Sequence, residues 1–205
     1  MCSSDLFTLR IGKAESTLPK GEQIGTENVK EGDHIKVYVS EVKIMDKGPK
    51  IMISRSHPNF VKKLFESEIP EINDGTVEIK SVSREAGSRS KIAVFSHNPN
   101  VDAVGSCIGS HGSRLSAIIE ELGGEKIDLI EYSDEPEKYV AAALAPANVI
   151  KVEFDPEVPG VCRATVPDNQ LSLSIGNRGQ NVRLAAKLTG YKIDIRPESG
   201  FYGEN

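Results

Sequence analysis

Tryptophan is absent from the chain, aromatic residues make up only 5% of it, and there are just three cysteines. No apolar run approaches the ~20 residues that a membrane-crossing helix needs. The start, Met1-Cys2-Ser3-Ser4-Asp5, has neither the basic stretch nor the apolar core of a secretory signal. No membrane association is expected, and the expected setting is cytoplasmic. Cys2, Cys107 and Cys162 stand alone, with no Cys-x-x-Cys and no histidine at ligand spacing, so neither disulfides nor a zinc site is expected. Cys107 falls on the apolar side of a candidate helix and is expected to be a buried thiol. A nucleoside-triphosphate loop is missing too, because Gly105-Ser106-Cys107-Ile108-Gly109 lacks the Gly-Lys-Ser/Thr ending. No carboxylate pair or Ser/His/Asp set stands at catalytic spacing. The chain reads as a non-enzyme, with no catalytic residue, metal or cofactor. Positive charge is not in excess either: the net charge is −5, which argues against a simple basic nucleic-acid binder.

What the chain does contain is one pattern written twice. Gly109-Ser110-His111-Gly112 and Gly176-Asn177-Arg178-Gly179 each lie between two apolar segments of helical period. After the first come Leu115, Ile118, Ile119 and Leu122, the spacing of one buried helix face. After the second, Val182, Ala185, Ala186 and Thr189 fall at the same offsets, and upstream Val104 and Ile108 answer to Leu171 and Ile175. Helix starts are expected near Asp102 and near Asp168 or Asn169. Downstream, Lys126-Ile127-Asp128-Leu129 answers to Lys192-Ile193-Asp194-Ile195. A lone Gly-x-x-Gly is commonly no more than a tight turn. Two copies in one register, with matching helices and strands, make an internal repeat.

The repeat resembles the KH domain, whose Gly-x-x-Gly loop clamps a nucleic-acid backbone. Glycines let phosphates approach the main chain, and the following helix points its free N–H groups and positive dipole end at the same place. The elements upstream of each loop complete the order α-β-β-α-α-β, that of the type II KH fold. In the first repeat these are a helix from Ser56-His57-Pro58 to Pro70 and a hairpin of Thr76 to Arg84 with Lys91 to Ser96. In the second they are a helix from Pro136 to Leu144 and strands from Val149 to Phe154 and Val161 to Val166. His57 beside Pro58 reads as a cap or surface residue. A short join, Glu131 to Glu137, predicts a rigid tandem.

Residues 1 to 56 read as β structure. Phe7 to Ile11 and Ala14 to Leu18 flank a Gly12-Lys13 turn, and Ile35 to Val42 is expected to pair with Ile51 to Ser54 through Asp46-Lys47-Gly48-Pro49. This stretch resembles the closing half of an S1-type OB barrel, a five-stranded fold that binds single strands. Its opening strand is missing, and only Phe7 and Tyr38 are candidates for base stacking. The fold class is therefore α+β multidomain: a partial S1-type OB domain at 1–56, a first KH domain at 57–133 and a second at 134–205.

That domain order, with Arg55-Ser56-His57-Pro58, Glu68-Ile69-Pro70-Glu71-Ile72, Ser83-Arg84-Glu85-Ala86-Gly87-Ser88-Arg89-Ser90-Lys91 and Asp168-Asn169-Gln170-Leu171-Ser172-Leu173-Ser174-Ile175-Gly176, resembles the bacterial NusA family of transcription factors. The resemblance implies a monomeric, non-enzymatic factor. Such a factor binds single-stranded nascent RNA, rides on RNA polymerase with other transcription factors, and modulates pausing, termination and antitermination. It also implies that the family's polymerase-binding N-terminal domain is absent from these residues, so that the chain is an RNA-binding core, a fragment or an incomplete gene model. Expected RNA contacts are Gly109, Ser110, His111, Gly112, Arg114 and Lys126 in the first repeat. In the second they are Gly176, Asn177, Arg178, Gly179, Arg183, Lys187 and Lys192.

The two halves are not electrostatic equals. From Asp168 to Arg196 five cations face two acids, a balance of about +3; from Val101 to Tyr132 two cations face six acids, about −4. The family's first loop usually carries a basic residue where this chain has His111, and Arg114 is the expected partial substitute. Two rivals follow. Polynucleotide phosphorylase also joins KH and S1 domains, but in the opposite order. A KH-fold protein-interaction module with little RNA affinity is the other, suggested by the acidic first repeat.

Overall fold

Alternating apolar and polar residues form the N-terminal strands in the computed structural model, which describes residues 6–45 and 48–200. Strands β1 (Leu6–Ile11) and β2 (Ala14–Pro19) make one antiparallel hairpin, and β3 (Tyr38–Met45) and β4 (Gly48–Ser54) make another. Among the described residues these stay two separate two-stranded sheets. They touch where the Ser16 hydroxyl donates to the Ile51 carbonyl at 2.6 Å, an arrangement consistent with a partial S1-type OB fold.

The strand expected over Ile35 to Val42 begins later, at Tyr38, and runs on to Met45. Arg55 is the cause. Its Nη1 donates to the Lys36 carbonyl, which holds that segment against a side chain instead of a neighbouring strand. Asp46 and Lys47 of the expected turn lie outside the described residues. Tyr38 is no free stacking platform, because its ring lies on His57 (centroids 5.1 Å apart, 23° between planes) and its hydroxyl accepts from Asn59 Nδ2 at 3.1 Å.

The second hairpin leaves Val42, Met45 and Ile44 in solvent, the last 93% exposed. Such a sheet buries little apolar surface and ends in unsatisfied edges. Hydrogen exchange is therefore expected to show amides of residues 6–54 opening before those of the two repeats; the slowest amides falling in this region would contradict it.

Helix α1 (Pro58–Glu68) starts at His57, whose Nδ1 accepts from the Asn59 N–H at 3.0 Å, and buries Phe60, Val61, Leu64 and Phe65. A short α2 (Pro70–Asn73) follows, then β5 (Val77–Glu85), β6 (Arg89–Ser96), α3 (Ala103–Ile108), α4 (Ser113–Glu121) and β7 (Lys126–Glu131). The second repeat runs α5 (Pro136–Ala143), β8 (Lys151–Phe154), β9 (Val161–Val166), α6 (Leu171–Ile175), α7 (Gln180–Thr189) and β10 (Lys192–Pro197). In each, the middle strand pairs antiparallel with the one before it and parallel with the last. These are two tandem KH domains.

The expected caps are corrected in part. Asp102 occupies the N-cap of α3 without a side-chain cap bond. Asp168 lies in a 3-10 turn ahead of α6, and its carboxylate accepts instead from the Ser199 N–H at 3.1 Å.

Strand β6 contributes to the cores of both repeats. Residues 90–94 of β6 are buried without alternation because both faces are covered. Ile92 and Val94 join Phe60, Leu64, Cys107, Ile118 and Leu122 in the first core, whereas Ala93 joins Tyr139, Val140, Ala164, Ala185 and Leu188 in the second. Lys91 is wholly buried, and its ammonium donates to Asp128 at 2.9 Å and to the Ala145 carbonyl at 2.7 Å. Burial pulls its pKa down, against the pull of Asp128. Burial also pushes the Cys107 thiol up to about 12 and the Cys162 thiol to about 11, the behaviour of packed rather than reactive cysteines.

Candidate nucleic-acid interface

Each Gly-x-x-Gly is a helix-to-helix connection. Gly109 (φ 73°) ends α3, and an added Cβ there would lie 2.7 Å from Arg114 Cγ. Gly176 (φ 78°) ends α6, and a Cβ there would lie 2.7 Å from the Asn181 main-chain nitrogen. Both positions need glycine on two grounds, the left-handed backbone and the close approach.

The second central residue of each loop is left-handed without being glycine: His111 at φ 53° and Arg178 at φ 51°. An L-residue there costs about 1–2 kcal/mol, and such outliers gather at binding sites. Gly112 and Gly179 close the loops, their N–H groups donating to Gly109 and Gly176 at 3.1 and 3.0 Å. Helices α4 and α7 begin at the next residue. Ser110, His111, Asn177 and Arg178 are therefore exposed beside a helix N-terminus whose first N–H groups have no partner within the helix. Free N–H groups at a helix start can hold an anion.

The cations divide by repeat. Arg114 folds back from the first loop, donating to Glu71 Oε2 and to the Ser106 carbonyl, both at 2.8 Å. It does not stand in the loop as a free charge. Lys126 and Lys192 are exposed at the starts of β7 and β10, each the end strand of its sheet. Among the described residues no ion pair holds the side chain of Arg178, Lys187 or Lys192. Arg183 differs: its Nε donates to Glu85 Oε1 at 2.8 Å, and its Nη1 donates to the Arg178 carbonyl at 3.1 Å.

Residues 55–132 match the family model described as the NusA-like first KH domain, and residues 136–202 match the NusA-like second KH domain. The chain is 56% identical over 189 residues to the transcription termination/antitermination protein NusA of Halalkalibacterium halodurans, covering 92% of this chain and 49% of that protein. The chain belongs to the NusA family. Its likeness to the NusA of Bacillus subtilis is 54% identity over 92% of this chain and 51% of that protein, and to the NusA of Thermus thermophilus 49% over 90% and 48%. The chain thus spans about half the length of these NusA relatives. The crystal structure of APE1850, 23% identical with a TM-score of 0.50, covers 68% of this chain and 97% of its own, and shows likeness of fold alone.

Sequence reasoning did not foresee the buried charges that stiffen the NusA-like first KH domain. The Arg84 and Glu125 side chains are both wholly buried, bonded through Nε and Nη2 at 3.0 Å. Glu125 also accepts from the Gly87 N–H and the Ser90 hydroxyl, and Arg84 donates to the carbonyls of Arg55 and His57. Arg55 binds Glu27 and Glu121. Burial works against its charge, but these carboxylates outweigh it and raise its pKa. Arg84 stands next to last in a strand of alternating apolar and polar residues, a position that gives no sign of its burial. Among the described residues no group of three or more His, Cys, Asp or Glu could hold a metal ion, and no helix is long and apolar enough to cross a membrane.

Proposed function

We propose that this chain binds single-stranded RNA through its two Gly-x-x-Gly cradles. On this reading it is the RNA-binding core of a cytoplasmic, monomeric and non-enzymatic elongation factor that acts with RNA polymerase on pausing, termination and antitermination. The observation that carries the reading is the duplicated cradle: exposed left-handed residues at His111 and Arg178 between required glycines, each at the start of a helix. The names of the NusA relatives support the transcriptional part.

The expected contacts divide by role. Loop main chain and the cations Arg178, Lys187 and Lys192 take phosphates, while base edges would be read beside the end strands, near Ile127 to Leu129 and Ile193 to Ile195. A protein-binding role for the first repeat is the second reading, favoured by Arg114 being tied to Glu71. Fluorescence titration of the chain with a short unstructured RNA at two salt concentrations tests the first reading. Three phosphate-neutralising cations predict a fall in log K of about 2 per tenfold rise in salt, at about 0.7 each on single strands. Absence of binding at low salt would leave only the protein-interaction reading.

A further inference from the structure

The tip of the first repeat's hairpin meets the first turn of the helix that follows the second repeat's loop. Glu85, the last residue of β5, presents Oε2 to Gln180 Nε2 at 2.8 Å, and the same nitrogen donates to Ser88 Oγ at 2.7 Å. Its Oε1 accepts from Arg183 Nε and is 2.8 Å from Arg183 Nη2, while Nη1 of that guanidinium holds the Arg178 carbonyl. Gln180 and Arg183 stand in the first turn of α7, immediately after the loop. The Gln180 hydrogen bond, opposed by burial, and then Arg183 and the charge of Lys187 hold the Glu85 carboxyl below the usual carboxylate range. An anion of the first domain thus sits where an RNA phosphate would meet the second.

We propose that Glu85 is an affinity-setting residue of the second cradle, an internal competitor that occupies the Arg183 guanidinium until an RNA phosphate displaces it. This rests on the RNA-binding reading above. The geometry suits competition rather than permanent locking. Arg183 is 45% exposed and Glu85 28%, so water and phosphate reach the pair, and ion pairs of that exposure are weak. Arg84, one residue earlier on the same strand, and its partner Glu125 have wholly buried side chains and show what a permanent pair looks like here.

The consequence is that the second domain carries one cation fewer than its sequence suggests, and that phosphate binding there costs the domains one of their mutual contacts. Glu85→Gln removes the charge while keeping an oxygen for Gln180. Titrating the full chain with a short unstructured RNA, this variant is expected to bind about five- to tenfold tighter at about 50 mM salt, with a salt slope steeper by about 0.7. Arg183→Gln is expected to weaken binding, because the phosphate then has no guanidinium to take from Glu85, and Glu85→Gln is expected to bring no gain when added to it. Unchanged or weaker binding by Glu85→Gln, or a gain that survives in the double variant, overturns the proposal. If Asn177→Asp/Arg178→Asp abolishes binding while Glu85→Gln has no effect, the cradle reading stands and this inference alone fails. If the loop variant binds normally, both fall.

Discussion

Replacing Glu125 by alanine is expected to lower the unfolding free energy by about 3–5 kcal/mol, the usual cost of leaving one member of a buried ion pair alone. Three groups lose their acceptor at once, because this carboxylate serves Arg84, the Gly87 N–H and the Ser90 hydroxyl. The Arg84 guanidinium, with no exposed surface, would keep only the carbonyls of Arg55 and His57. Urea unfolding followed by circular dichroism reads the effect. Glu135→Ala, which breaks the exposed pair with Lys138, is the control and should move stability by less than about 0.5 kcal/mol. Equal small losses from both would show that water or neighbouring groups compensate the buried charge.

How far the sequence carries can be judged from these same residues. The loops were legible because their determinants are local: glycine where the backbone is left-handed, apolar residues at helical spacing on either side, and a second copy in register. The start of β3 was not, since the partner that keeps Lys36 out of the ladder is Arg55, 19 residues on. Arg84 and Glu125 are 41 residues apart, and Glu85 and Arg183 are 98 apart. Pairs at such distances follow from tertiary packing, within the first KH domain for Arg84 and Glu125 and between the two domains for Glu85 and Arg183, which no periodicity encodes. That packing also altered the functional reading. Arg114 and Arg183 looked equivalent to their neighbours as cations, yet each is engaged by a carboxylate, Glu71 for one and Glu85 for the other.

A larger expected effect concerns the cradles themselves. Asn177 and Arg178 are exposed and take no part in either core, so Asn177→Asp/Arg178→Asp places two anions at the loop while leaving the packing of α6 and α7 intact. Repulsion of phosphate and loss of the Arg178 cation act together. RNA affinity should fall by at least about a hundredfold at low salt, and the salt slope should flatten by about 0.7 for the lost cation. The matching Ser110→Asp/His111→Asp change falls in an acidic repeat whose nearest arginine is already paired, and is expected to cost about tenfold or less.

The most direct test of the account is therefore a side-by-side RNA titration of these two double variants and the unmodified chain across a series of salt concentrations, with circular dichroism confirming that all three are folded. A much larger loss of affinity and slope from the second loop than from the first is the predicted result; equal losses, or none from either, would contradict it.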